Sequence, residues 1–235
     1  MAELDQLYGR IISCVRCPRL VAHRRWAAEN PPRRFRGEVY WARPLTGFGD
    51  VRARLLVVGL APAAHGGNRT GRMFTGDSSG NTLMRALYHT GFASQPYSER
   101  RDDSLTITDA YITAVVRCPP PENRPTSTEI ANCIPYLLEE MRILENVQVI
   151  ICLGGLAFNT VSKIMREHGE MGGFRPAFKH GATYRPGGKL FGRPAPTIIA
   201  SYHPSRQNTQ TGRLTQRMLN QIFLKARKII EQPAG

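Results

Sequence analysis

The sequence predicts an α/β fold in which helices cover both faces of a parallel sheet. Three observations lead there. Four short runs, residues 55–60, 111–116, 147–153 and 197–202, are almost wholly apolar. Longer stretches with helical apolar spacing separate them. None of the four runs shows the polar alternation of a half-exposed strand, which is what strands buried on both faces look like.

Taken in order, residues 1–50 lack this alternation and are expected to wrap the outside of a single domain spanning 1–235. The first strand, 55–60, runs into a glycine-rich segment and then a helix at 81–90. The second, 111–116, leads to a helix at 129–144, opened by Ser127 and Glu129. After the third, 147–153, comes a helix at 155–168. Residues 169–196 are rich in Gly, Pro and basic side chains, and read as a long surface excursion. The fourth strand, 197–202, precedes a C-terminal helix at 215–231. No apolar run reaches the roughly 20 residues that span a bilayer, so no membrane partner is expected. Residues 1–20 are mixed and charged, without the apolar segment of a secretory signal, and the expected compartment is the cytoplasm.

Charge narrows the partner. The net charge is +14 with a pI near 10.2. Only Lys163, Lys179, Lys189, Lys225 and Lys228 are lysines, so arginine dominates the 32 basic residues. Guanidinium groups make forked contacts to phosphate, and Arg16, Arg19, Arg24, Arg25, Arg33, Arg34, Arg36 and Arg43 crowd the N-terminal segment. A polyanion, nucleic acid above all, is the predicted partner.

Cys14 and Cys17 form a C-x2-C pair, and Cys118 and Cys133 follow much later, each bordering a predicted element. Thiolates so arranged suggest four ligands closing a metal site, with Pro18 and Pro119 stiffening the loops that present sulfur. Zinc and an iron–sulfur cluster both accept four thiolates, and spacing does not separate them. Cys152 lies inside the third apolar run and reads as a small buried hydrophobe.

In such sheets ligands bind beyond the carboxyl ends of the strands, where two unusual segments fall. One runs from Gly59-Leu60-Ala61-Pro62-Ala63 to Thr70-Gly71-Arg72-Met73-Phe74-Thr75-Gly76-Asp77. It lacks the G-K-[ST] of a phosphate loop and the glycine spacing of a dinucleotide fingerprint. The other is Ser201-Tyr202-His203-Pro204-Ser205-Arg206-Gln207-Asn208.

At these segments the chain resembles the uracil-DNA glycosylase superfamily, most closely its family 5. The resemblance rests on the four cysteines, G-L-A-P-A at 59–63, T-G-R-M-F-T-G-D at 70–77 and S-Y-H-P-S at 201–205. It implies a three-layer α/β/α sandwich around a four-stranded parallel sheet. It also implies a 4Fe-4S cluster on Cys14, Cys17, Cys118 and Cys133, and excision of uracil and other deaminated bases from double-stranded DNA. The expected state is a monomer.

The chemistry assigns roles. Cleaving a glycosidic bond requires the base out of the stack, and Phe74 is the ring expected to receive it, since such stacking is worth roughly 1–3 kcal/mol per base. The base departs as an anion and leaves a cationic sugar, so pre-aimed partners of both kinds are needed. His203 is the expected donor to the base oxygen. Asp77 is the expected anion that supports the sugar and positions water, although its place before a helix also suits a cap. Gly59 and Ala61 are expected to line the base pocket. Ala61 stands where many superfamily members carry Asp or Asn, Leu60 where family 4 carries Glu, and Ala114 where stricter uracil enzymes carry a base-reading Asn. The missing amide predicts activity on hypoxanthine and xanthine too. Asn123 is expected near base or backbone, and Arg72, Ser205, Arg206, Gln207 and Asn208 near DNA. Two other classes fit parts of the pattern. Charge and cysteines alone would permit a metal-stapled nucleic-acid binding module without catalysis. A zinc-dependent hydrolase or deaminase is disfavoured, because four cysteines would close the zinc shell.

Overall fold

The computed structural model describes residues 2–232, so residue 1 and residues 233–235 of the expected domain lie outside it. In chain order the sheet takes β1 (Phe48–Gly49), β2 (Leu55–Gly59), β3 (Ala110–Ala114), β4 (Val149–Leu153), β5 (Thr183–Tyr184) and β8 (Thr197–Ser201). Between β5 and β8, β6 (Lys189–Leu190) and β7 (Arg193–Pro194) form a separate hairpin. The spatial order is β1-β3-β2-β4-β8-β5. Its four long strands are parallel, and the two-residue strands at the edges are antiparallel. The expected four-stranded parallel sheet is thus the centre of a six-stranded one.

Side chains alternate between two cores. Leu56, Val58, Ile150, Cys152, Ile198 and Ala200 face one layer, and Leu55, Val57, Val149, Ile151 and Ile199 face the other. Period-two alternation with apolar residues on both faces is why the strands read as continuous apolar runs. Helices α5 (Ser127–Ile143) and α6 (Gly155–His168) cover the first face, α4 (Ser78–His89) and α8 (Gln216–Glu231) the second, and the one-turn α3 (Gly67–Thr70) lies in the loop after β2. Helices following the adjacent strands β2 and β4 therefore leave to opposite faces. The carboxyl edge between them is the crevice where such sheets bind ligands.

Local signals explain the boundaries. Thr126, one residue before the expected opener, caps α5 and forms a reciprocal capping box with Glu129. Asp77 caps α4, which starts earlier than its apolar pattern suggests.

Two expectations need correction. The N-terminal segment is more than a wrap: α1 (Ala2–Ile12) and α2 (Pro18–Glu29) send Leu4, Leu7, Ile11 and Leu20 into the first core. Their helical spacing buries a stripe, and the C-x2-C pair lies on the turn between them. Residues 169–196 likewise do more than cross the surface. β5 pairs with β8, and Phe178 packs against Phe158 and Tyr202, so this segment covers an open strand edge.

Candidate active site and cysteine cluster

The carboxyl ends of β2 and β8 bring the two unusual segments together. Phe74 and His203 stack with ring centroids 6.0 Å apart and planes inclined by 30°. That is direct aromatic contact, so no base fits between the rings. Phe74 is buried and holds a left-handed backbone, φ +49°. This conformation is costly for a bulky residue and is typical of functional turns. Its ring also explains Gly59, where a Cβ would lie 2.6 Å from Phe74 Cζ.

The His203 imidazole makes no hydrogen bond to any described residue, and burial holds it neutral by lowering its pKa to about 4. Its segment is tied down through the backbone instead. Asn208 Nδ2 donates to the His203 carbonyl at 2.9 Å, and Ser205 caps the short helix α7 (Arg206–Gln210) by accepting from the Asn208 N–H. Ser205 and Asn208 therefore shape the loop, while Arg206 and Gln207 stay exposed.

Asp77 uses one oxygen for structure. Its Oδ1 accepts from Gly80 N at 2.9 Å, capping α4. Its Oδ2 points to Gly66, where an added Cβ would lie 2.1 Å away. Burial raises the carboxyl above its ordinary pKa, against the opposing pull of the Gly80 and Ser79 amides and of Arg69. Gly80 links Asp77 to the ring pair: the Asp77 cap bonds its N–H, and a Cβ there would strike the Phe74 carbonyl.

Asp77 also lines an open groove of about 1260 Å³ with Arg34, Arg69, Arg85, Arg101 and Arg206. Phe74 and His203 are not part of that wall; they form a closed stack next to the segment that carries Asp77. Arg69 is a residue the sequence reading passed over. It bonds Glu38 at 2.5 Å and the Gly76 carbonyl at 3.3 Å, and lies 4.0 Å over the Phe35 ring. His65 was also missed; its Nδ1 sits 3.0 Å from the Tyr40 hydroxyl. No spacing rule marks either residue, since both act through partners distant in sequence.

Of the other expected site residues, Ala114 is buried at the carboxyl end of β3, opposite Gly59 in the register. Ala61 is partly buried in the loop after β2. Asn123 is exposed in a 3-10 turn with φ +57°, beyond Cys118. Arg72 is corrected: instead of meeting DNA it is buried, bonded to Asp103 at 2.7 Å, Ser98 at 2.8 Å and Thr75 at 3.0 Å. Its guanidinium staples the motif loop to the segment at 98–103.

Beyond the carboxyl end of β3, against the first core, Cys14, Cys17, Cys118 and Cys133 line one small, largely enclosed cavity, with Arg24 and Arg117 on its wall. Among the described residues no three His, Cys, Asp or Glu side chains close tightly enough to hold a single metal ion. Beside the thiols Glu140 receives hydrogen bonds from Arg117 at 2.5 and 3.0 Å and from Thr113 at 2.7 Å. Tyr111 and the Gly47 N–H add two more at 3.3 Å. Cys152 is wholly buried in β4, away from this cavity.

Residues 46–227 match the sequence model of the uracil DNA glycosylase superfamily, which fixes the class. Within it, a type-5 uracil-DNA glycosylase of Pyrobaculum aerophilum is 44% identical over 94% of this chain and 91% of its own. A type-5 uracil-DNA glycosylase of Thermus thermophilus is 45% identical over 93% and 94%. A type-4 uracil-DNA glycosylase of Pyrobaculum aerophilum shares 30% over 72% and 69%. The chain belongs to the uracil-DNA glycosylase superfamily, in its type-5 family.

Proposed function

We propose that the chain is a monofunctional DNA glycosylase. It hydrolyses the N-glycosyl bond of uracil in double-stranded DNA, and of hypoxanthine and xanthine, leaving abasic sites for base excision repair. The observation that carries this reading is a pair of under-bonded groups at the carboxyl edge of the sheet. Asp77 keeps one oxygen free of its cap, and among the described residues neither nitrogen of the neutral His203 ring has a hydrogen-bond partner.

The flipped base enters beside the ring pair and stacks on the accessible part of Phe74. As the C–N bond lengthens, a His203 N–H hydrogen-bonds the base oxygen where negative charge develops. A neutral imidazole suits that role, because it donates without first having to ionise. The ionised Asp77 carboxylate faces the positive charge growing on the sugar and orients the attacking water through Oδ2. Its raised pKa makes it a better proton acceptor than an ordinary aspartate. Ala114 offers only a methyl group, so neither edge pattern of the base is rejected by an unpaired amide. Gly59 and Ala61 keep the wall beside the base free of bulk.

The groove supplies the DNA track, with Arg34, Arg85, Arg101 and Arg206 to meet phosphates. Cys14, Cys17, Cys118 and Cys133 line one shared cavity, and four thiols around a common space are the donor set that a 4Fe-4S cluster takes. Holding it, Cys14 and Cys17 on the α1–α2 turn would be joined to Cys118 beyond β3 and to Cys133 on α5. The chain acts as a monomer and a single domain, and its free thiols suit the reducing cytoplasm. Among the described residues no helix is long and apolar enough to cross a membrane.

Duplexes bearing a single uracil, hypoxanthine or xanthine test the reading through alkali-labile strand breaks. Breaks at all three support it, and cleavage at uracil alone contradicts the broad base range. Tight binding without any abasic site would instead favour a binding module.

A further inference from the structure

Arg24 belongs to the arginine-rich N-terminal segment, yet its side chain is turned away from any polyanion. It is 4% exposed on the inner face of α2. Its Nη1 donates to Cys118 Sγ at 3.1 Å and reaches the Cys14 carbonyl at 3.4 Å. Its Nε is buried without a hydrogen-bond partner.

The other buried arginines show what is unusual here. Arg117 is paired with Glu140, and Arg72 with Asp103. Arg24 pairs with no acidic side chain among the described residues. A buried cation without a counter-charge costs several kcal/mol, so its compensation has to come from what it touches. It touches a cysteine sulfur, and the cavity it lines is ringed by three more cysteines. A second donor points the same way, Asn132 Nδ2 at 3.4 Å from Cys17 Sγ.

We propose that Arg24 is the internal counter-cation of the metal–thiolate centre, and that its hydrogen bond to Cys118 raises the reduction potential of the bound cluster and slows its oxidative loss. The proposal rests on the 4Fe-4S reading above. Four thiolates give an iron–sulfur cluster an excess of negative charge, and one-electron reduction adds another. A fixed cation and an N–H···S bond stabilise the more negative, reduced state over the oxidised one. Losing them lowers the potential, so the cluster surrenders an electron more readily and is lost sooner in air. Arg24 is thus a tuning residue for the cofactor and takes no part in contacting DNA.

Voltammetry of anaerobically purified protein tests this, with one electron passing between electrode and cluster. The wild type is compared with Arg24→Met, Arg24→Lys and, as a control for removing one charge from the same helix, the exposed Arg25→Met. The expected result for Arg24→Met is a tenfold change in the redox equilibrium, a shift of about 59 mV towards negative potential for one electron. Its visible absorbance should also bleach several-fold faster in air. Arg24→Lys keeps the charge and loses the guanidinium fork; it should shift less, and it decides the matter if the Met variant does not fold. Arg25→Met should match the wild type. Loaded Arg24 variants with wild-type potential and bleaching rate overturn the role of Arg24, as does an equal shift in Arg25→Met. A colourless wild type carrying stoichiometric zinc overturns the cluster reading itself, and this proposal with it.

Discussion

Glu140 and Asp77 are both carboxylates withdrawn from bulk water, and the fold treats them in opposite ways. Glu140 is fully buried beneath the cysteine cavity and receives bonds from Arg117, Thr113, Tyr111 and the Gly47 amide. Asp77 stands at the carboxyl edge of the sheet with only backbone amides at its carboxyl, Gly80 N–H on Oδ1 among them, and burial raises its pKa. A carboxylate whose acceptor capacity is filled is a structural part. One held short of partners retains capacity for a substrate, and the lesson extends to the basic groups: Arg117 and Arg72 are bonded on several sides, while the His203 ring has no hydrogen-bond partner among the described residues.

The contrast can be broken by exchanging the two roles. Glu140→Gln leaves Arg117 as a buried charge without its ion partner and should cost about 3–5 kcal/mol of stability. Urea denaturation measures it, and Asp77→Asn should cost less than about 1 kcal/mol because asparagine caps helices as well as aspartate does. Next in size is Phe74→Ala. Loss of base stacking, worth roughly 1–3 kcal/mol, should lower single-turnover excision by roughly fivefold to a hundredfold in pre-steady-state assays.

Acidity sharpens the contrast further. The Asp77 carboxyl titrates above its ordinary value, so the excision rate should fall on acidification sooner than an exposed aspartate would allow. That acid limb should be absent from the residual activity of Asp77→Asn. His203 acts on stability with a definite sign. Its folded pKa of about 4 lies below the ordinary imidazole value of about 6.5, so between these values the unfolded chain takes up a proton that the folded chain refuses. Stability therefore falls through that window as pH drops, and His203→Gln should flatten the fall in a series of urea titrations. The smallest effect belongs to the groove: Arg206→Ala should weaken DNA binding and reduce the salt slope by about one unit.

Much of this was legible in the residue order. Four apolar runs became β2, β3, β4 and β8, since strands buried on both faces leave an unbroken apolar signature. The helix at 155–168 fell on the residues expected, bounded by Gly154 and Gly169. Other features depend on contacts distant in sequence and leave no local mark. Arg72 and Arg24 look like polyanion ligands until the fold places Asp103 beside one and Cys118 beside the other. The left-handed turn at Phe74 is invisible because any residue can be forced there when its surroundings hold it. Leu4, Leu7 and Ile11 have helical spacing, but residues 1–50 hold no apolar run for a helix to alternate with, so their packing onto the core leaves no local mark.

The most direct test asks whether stability and catalysis separate at the carboxyl edge. Single-turnover excision of uracil from duplex DNA should fall at least tenfold, about 1.4 kcal/mol of barrier, in both Asp77→Asn and His203→Gln. Each variant should still unfold cooperatively, near the wild-type midpoint at neutral pH. If both folded variants excise uracil at the wild-type rate, the reacting sugar is served by other groups and the assignment made here is wrong.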